Sequence, residues 1–314
     1  MSGFTLSGGL AFSGGFTFTE APDTGNTAAW FGGGGSTPAT VSRVDRITYA
    51  TDTATASVRG PLSSARNYLA AAGNTTNAWF GAGNGGDSYE NTSRVDRITY
   101  VTDTATASVR GPLSSARRYL AAAGNTTDGW FGGGSTPATV STVDRITYAT
   151  DTATASVRGP LSLGRNRFAA AGNSTDGWFG GGYALTTVDR ITYATDTATA
   201  SVRGPLSGPR FRFAAVGNSD YGWYGGGYPP NTSTVDRITY ATDTATASVR
   251  GPLSAVRYYL AAAGNTTDGW FGGGLPGPVS TVNRITYATD TATASVRGPL
   301  SQDRRSLAAA GGIQ

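Results

Sequence analysis

Val44–Ser63 reads V-D-R-I-T-Y-A-T-D-T-A-T-A-S-V-R-G-P-L-S. The stretch returns five more times almost letter for letter, opening at Val95, Val143, Val188, Val235 and Val282, with Asn283 in place of the aspartate in the last copy. A block that recurs at a fixed interval is an architectural unit, and it is read before any local motif. Its prolines stand at Pro61, Pro112, Pro160, Pro205, Pro252 and Pro299, spaced by 51, 48, 45, 47 and 47 residues. That is the length of one four-stranded propeller blade.

Working outward from the block, each unit parses into four short strands. Strand A is typified by Arg117–Gly124, with Ala121-Ala122-Ala123 at its end. The turn Asn125–Gly129 follows, built from residues that tolerate tight or left-handed backbone. Strand B is Trp130–Gly134, strand C Val143–Tyr148, and strand D Ala155–Arg158. Gly159-Pro160 ends the unit, because proline cannot donate to a ladder. The small residues of strand A suit the crowded axis of a propeller. No helical periodicity of useful length occurs.

Strand B occurs at Trp30, Trp79, Trp130, Trp178, Trp223 and Trp270, which are all six tryptophans. Trp30 has no strand A before it, whereas Arg304–Gly311 forms a strand A at the end of the chain. The expected fold is therefore all-β: a six-bladed propeller over residues 27–314, closed by pairing the C-terminal strand with the N-terminal blade. Closure removes the open sheet edges that invite aggregation. The tryptophans are expected as core wedges between blades rather than as ligand platforms.

Residues 1–26 stand outside the repeat. Phe4, Leu6, Leu10, Phe12, Phe16 and Phe18 all occupy even positions, so in a strand they share one face. Burying such side chains is worth roughly 1.5–3 kcal/mol each. A β-type arm is expected, packed on its own propeller or on another subunit of an assembly.

Composition narrows the chemistry. Cys and His are absent and all 24 basic residues are Arg. Thiol nucleophiles, thiolate metal sites, histidine general bases and lysine Schiff bases are thereby excluded. No cofactor, no metal site and no catalytic residue is expected, and the chain is read as non-enzymatic. A net charge of +4 is too sparse a basic face for a nucleic-acid partner. No apolar run approaches the ~20 residues of a membrane span. A basic segment followed by an apolar one is missing at the N-terminus, so no secretory signal is expected. Asn-Thr-Thr triplets are accordingly glycosylation sequons in form only.

The grammar of residues 27–314 resembles the kelch repeat. It shares an Arg before strand A (Arg117), a di-glycine in strand B (Gly132-Gly133) and a Tyr near the end of strand C (Tyr148). It differs in carrying small residues such as Ala155 where kelch repeats have a Trp after the C–D turn. The near-identical copies also resemble repeat proteins of marine cyanobacterial phages. These resemblances imply a virion or tail-associated protein, made in the host cytoplasm, with other virion subunits as partners of the arm. The copper oxidases built on kelch-like propellers need His and Cys, which this chain lacks. A sialidase-like site needs a carboxylate pair that no blade distinguishes.

Comparing the six copies with one another locates the variation. The A–B and C–D turns barely change, while most of the variation lies in the B–C loops and the D–A segments. Both of these emerge on one face of an up-and-down blade, and loops on a rigid scaffold are where binding is usually placed. The varied segments carry Tyr89, Arg118, Arg167, Tyr183, Phe211, Arg212, Tyr228 and Tyr258. Aromatic and Arg side chains are typical of binding hot spots, and Arg forks suit carboxylate, sulfate or phosphate groups. These eight are the candidate ligand-binding residues, for a host-surface glycan or a neighbouring subunit. Two other functions are kept open: a purely architectural or capsid-decorating protein, and a polysaccharide hydrolase. Arg66, Arg117, Arg165, Arg210, Arg257 and Arg304, one before each strand A, are expected as structural braces ringing the channel mouth. Asp52, Asp103, Asp151, Asp196, Asp243 and Asp290 are expected to neutralise them. Asp45-Arg46 and its equivalents are expected to pair blade to blade.

Overall fold

The computed structural model describes residues 27–36, 39–86, 90–277 and 279–311. The proposed arm residues Phe4, Leu6, Leu10, Phe12, Phe16 and Phe18, and the candidate Tyr89, lie outside the described residues.

Six four-stranded antiparallel sheets form the six blades of the propeller. Blade 3 shows the unit: A is Ala121–Gly124, B Asp128–Gly132, C Val143–Thr147 and D Ser156–Arg158. Strand B begins two residues earlier than the sequence suggests, because Gly124 and Gly129 pair across the A–B turn. Strand C gives way at Tyr148–Thr150 to a single 3₁₀ turn. Blade 1 is closed as the strand count requires: Ala308–Gly311 pairs with Ala28–Gly32, in the register Ala29↔Gly311 to Gly32↔Ala308.

Strand alternation explains the packing. In strand B the neighbours Trp30 and Phe31 point to opposite faces, and both are fully buried. Trp30 joins Phe80, Ile98 and Tyr100 of the next blade, while Phe31 joins Trp270 of the preceding one. Every tryptophan stacks on the tyrosine that ends strand C of the following blade, at centroid distances of 3.7–4.0 Å and interplanar angles of 6–12°. The expected wedge role of the tryptophans is thus observed. The glycine that ends strand B makes room for the neighbour's ring: a Cβ on Gly32 would stand 2.7 Å from Phe80 Cε1.

Strand C alternates in the same way. Val44 and Arg46 face the next blade, whereas Asp45 and Ile47 face the preceding one. The aspartate of each C–D turn collects the cross-blade donors. Asp103 accepts from Trp30 Nε1 at 2.8 Å and from Arg46 Nη1 at 3.4 Å, and Arg59 lies 3.4 Å away. The Trp–Asp bond recurs around the whole ring at 2.8–2.9 Å.

Two sequence expectations are corrected here. Asp52 and its equivalents do not neutralise the arginines before strand A. Those arginines pair with the strand C aspartates of their own blade, Arg66–Asp96, Arg117–Asp144, Arg165–Asp189, Arg210–Asp236 and Arg304–Asp45, at 2.5–2.9 Å. Asp45-Arg46 is therefore only half a blade-to-blade device: Arg46 reaches the next blade, and Asp45 binds Arg304 within its own. The same aspartate also accepts from the N–H and Oγ of Ser301 in the incoming crossover.

Candidate binding face

The structure puts the D–A segments and B–C loops on one face. They bridge each other within blades, at Phe211↔Tyr228, Tyr258↔Leu275, Arg118↔Ser135, Arg305↔Gly35 and Asn67↔Asn84. The A–B and C–D turns meet on the opposite face, where Tyr148 N–H donates to Thr127 O and Tyr193 N–H to Thr175 O.

The arginines before strand A do not ring the channel mouth. All six are 0–5% exposed. Arg304 is typical: it donates to Gly33 O, Arg43 O and Phe31 O and pairs with Asp45. Burial lowers their proton affinity, with the partner aspartate opposing that effect where one is present. Arg257 has no carboxylate partner, meeting the Asn283 amide oxygen at 2.6 Å instead, and falls to about 10. These groups brace the fold, as expected of them, but from within the blades.

The mouth is ringed instead by the residues two positions further on: Tyr68, Tyr119, Arg167, Arg212, Tyr259 and Ser306. All six hold left-handed backbone, with φ of 58–63°. Each donates its N–H to the carbonyl of its counterpart in the preceding blade, and the ring closes with Tyr68 N–H on Ser306 O, at 2.6–2.9 Å throughout. Non-glycine residues in this conformation cost roughly 1–2 kcal/mol each, so the ring stores strain at one end of the axis.

The ring is not sixfold in chemistry. The Arg167 guanidinium lies 4.2 Å from the centroid of Tyr119, and that of Arg212 4.5 Å from Tyr259. Tyr68 touches Tyr119 at 4.3 Å and, past the small Ser306, reaches Tyr259 at 5.5 Å. Burial raises the Tyr68 and Tyr259 phenols above their ordinary range, so both remain protonated. Below the ring sits a collar of Leu69, Leu120, Phe168, Phe213, Leu260 and Leu307. The axis beyond it is lined by the alanines and glycines of strand A.

Outside the ring, blades 4 to 6 carry an arc of aromatic side chains. Tyr183 meets Phe211 at 5.0 Å, Phe211 meets Tyr228 at 5.4 Å, Tyr228 meets Tyr258 at 5.8 Å, and Tyr258 meets Tyr259 at 5.7 Å. Arg212 lies 5.0 Å from Phe211, joining arc to ring. Tyr183 is 66% and Tyr228 39% exposed, while Phe211 is buried and supports them from below. A cleft of about 380 Å³ beside Tyr183 is lined by Arg167, Asn166 and Leu185. On the other side of the axis the face is polar and bonded to itself, through Asn67 to Thr40, Asn91 to Ser135 and Gln302 to Ser36.

Of the candidates chosen from sequence, Tyr183, Phe211, Arg212, Tyr228 and Tyr258 converge in this arc, and Arg167 joins them through the ring. Arg118 stands apart, over Tyr119 at 5.2 Å. Sequence reasoning missed Tyr68, Tyr119, Tyr259 and Ser306 as site residues. The signal was present: the second position after each motif arginine reads Tyr, Tyr, Arg, Arg, Tyr, Ser across the copies.

Compared with known proteins, the chain matches no family model and no curated protein.

Proposed function

We propose that this propeller is a non-enzymatic recognition module that binds a glycan across the aromatic half of its D–A/B–C face. The observation that carries the reading is the continuous arc Tyr183–Phe211–Tyr228–Tyr258, exposed above and packed below. Flat amphipathic rings offer contact area at low entropic cost and suit the apolar faces of sugars. The rigid blades underneath hold the arc without a ligand, which reduces the ordering cost of binding.

The carboxylates support a binding role over a hydrolytic one. The strand C aspartates are held by arginine and serine, and the turn aspartates by tryptophan and arginine. Asp128, Asp176 and Asp268 accept from neighbouring threonines. We further propose, on the sequence resemblance, that the chain belongs with kelch-like repeats and is borne on a phage particle. There the N-terminal arm attaches it to other virion subunits, and the glycan is one of the host surface. The architectural alternative draws on one feature: Val58, Val109, Val157, Val202, Val249 and Val296 stand 51–61% exposed at the same place on all six outer strands.

A glycan array probed with the parent protein and with Tyr183→Ala, Tyr228→Ala and Tyr258→Ala tests the reading. Each variant should weaken binding by about tenfold. A parent that binds no glycan, or binding unchanged in all three variants, overturns it.

A further inference from the structure

The ring at the axial mouth contains two arginines that the fold does not consume. The arginines before strand A and those of strands C and D are engaged by carboxylates or by carbonyl and amide oxygens, as Arg66 is by Asp96 and by Ala82 O. Among the described residues, no ion pair or side-chain hydrogen bond engages Arg167 or Arg212. Each is instead laid against a tyrosine face, which fixes the plane of the fork and leaves its N–H groups free. The two are neighbours: Arg212 N–H donates to Arg167 O at 2.7 Å. Tyr68, Tyr119, Tyr259 and Ser306 complete the ring, and the space bounded by it and by the Leu and Phe collar is about 70 Å³. That volume exceeds what one water needs.

Symmetry sharpens the point. Six nearly identical blades would place one residue type at this position if it served only closure, because the ring's hydrogen bonds are made by backbone. Glycine is the residue the left-handed conformation favours. The ring instead carries large side chains at strained φ, with its two arginines adjacent and opening onto the aromatic arc.

We propose that this ring is an oxyanion site, in which the Arg167 and Arg212 forks, with the ring phenols as further donors, hold the carboxylate or sulfate group of an acidic glycan. The proposal deepens the glycan reading and, as a statement about the natural ligand, rests on it. The aromatic arc would take the sugar faces, and the ring would select the acidic unit.

Titration calorimetry with inorganic sulfate, galacturonate and galactose tests it, on the full chain and on Arg167→Gly/Arg212→Gly. Glycine suits the observed φ, so the double variant should keep the ring's backbone bonds and its thermal midpoint. Sulfate and galacturonate should bind the parent and lose at least about tenfold in affinity in the variant, since a charged hydrogen bond is worth that much. Galactose should be indifferent to the change. If the glycine variant fails to fold, Arg167→Lys/Arg212→Lys replaces it; that variant keeps the charge, loses the fork, and should bind both anions more weakly. Anion binding that is absent from the parent, or equal in parent and variants, overturns the proposal. The two readings separate. Glycan binding that needs Tyr228, in a protein whose ring takes neither sulfate nor galacturonate, would leave the arc and sink the oxyanion site. Sulfate that needs the ring, in a protein that binds no glycan, would do the reverse.

Discussion

Blade 6 differs from the others at one buried atom pair, and the difference predicts how the protein can be stabilised. Arg257 is 3% exposed and makes the carbonyl bonds of its equivalents, to Gly273, Thr281 and Phe271. Where the other blades offer a carboxylate, it meets the Asn283 amide. Burial accordingly lowers Arg257 from its ordinary value to about 10. At about 1.4 kcal/mol per unit, the uncompensated burial costs on the order of 3 kcal/mol. Asn283→Asp supplies the missing charge. The site already accepts an aspartate in five blades, where serine Oγ donates to it at 2.6–2.7 Å. The new carboxylate must itself lose water, which removes part of the gain and leaves about 1–2 kcal/mol. The thermal midpoint, followed by calorimetry at neutral pH, should rise by about 2–8 °C. The gain belongs to the ionised carboxyl, so it should disappear as acid protonates that group. Being buried, it should resist added salt. An unchanged or lowered midpoint would show that the guanidinium needs no countercharge there, and the account of the buried arginines would fall with it.

Gly159→Ala should cost several kcal/mol, measured by denaturant unfolding, because the new Cβ would overlap Ala198 O in the turn of the next blade; a neutral result would mean that the turn can move aside. Alkaline unfolding should set in near pH 10 and coincide with tyrosinate absorbance. Burial raises Tyr49, Tyr100, Tyr148, Tyr193, Tyr240 and Tyr287. A phenol raised in the fold contributes stability that is complete below its unfolded value of about 10 and is lost above it. The buried arginines, Arg257 at about 10 among them, act in the opposite sense. Phenols that titrate at their free value in a folded protein would contradict this. Deleting residues 2–19 should release the protein from its assembly with the propeller's circular dichroism and midpoint unchanged; normal assembly of the truncated chain would refute the anchoring role of the arm.

The sequence by itself determined the blade count, the strand order and the closure. Those follow from period-two alternation, from glycine and proline punctuation and from counting strand A, all of which are local or arithmetical. It also marked the variable face, because six copies in one chain act as their own comparison. Partner choice was not legible in it. Arg117 stands 27 residues from Asp144 and 34 from Asp151 in the chain. Only the pleat, which turns Asp144 toward the incoming crossover and sends Asp151 to Trp79 and Arg97 of the preceding blade, decides which it meets. The axial ring was hidden for a related reason. Tyr119 read as one more strand residue, whereas its left-handed backbone turns the chain there and carries it to the axis. The identity of a residue is written in the chain, but the side it faces and the neighbour it finds are fixed when the sixth blade closes on the first.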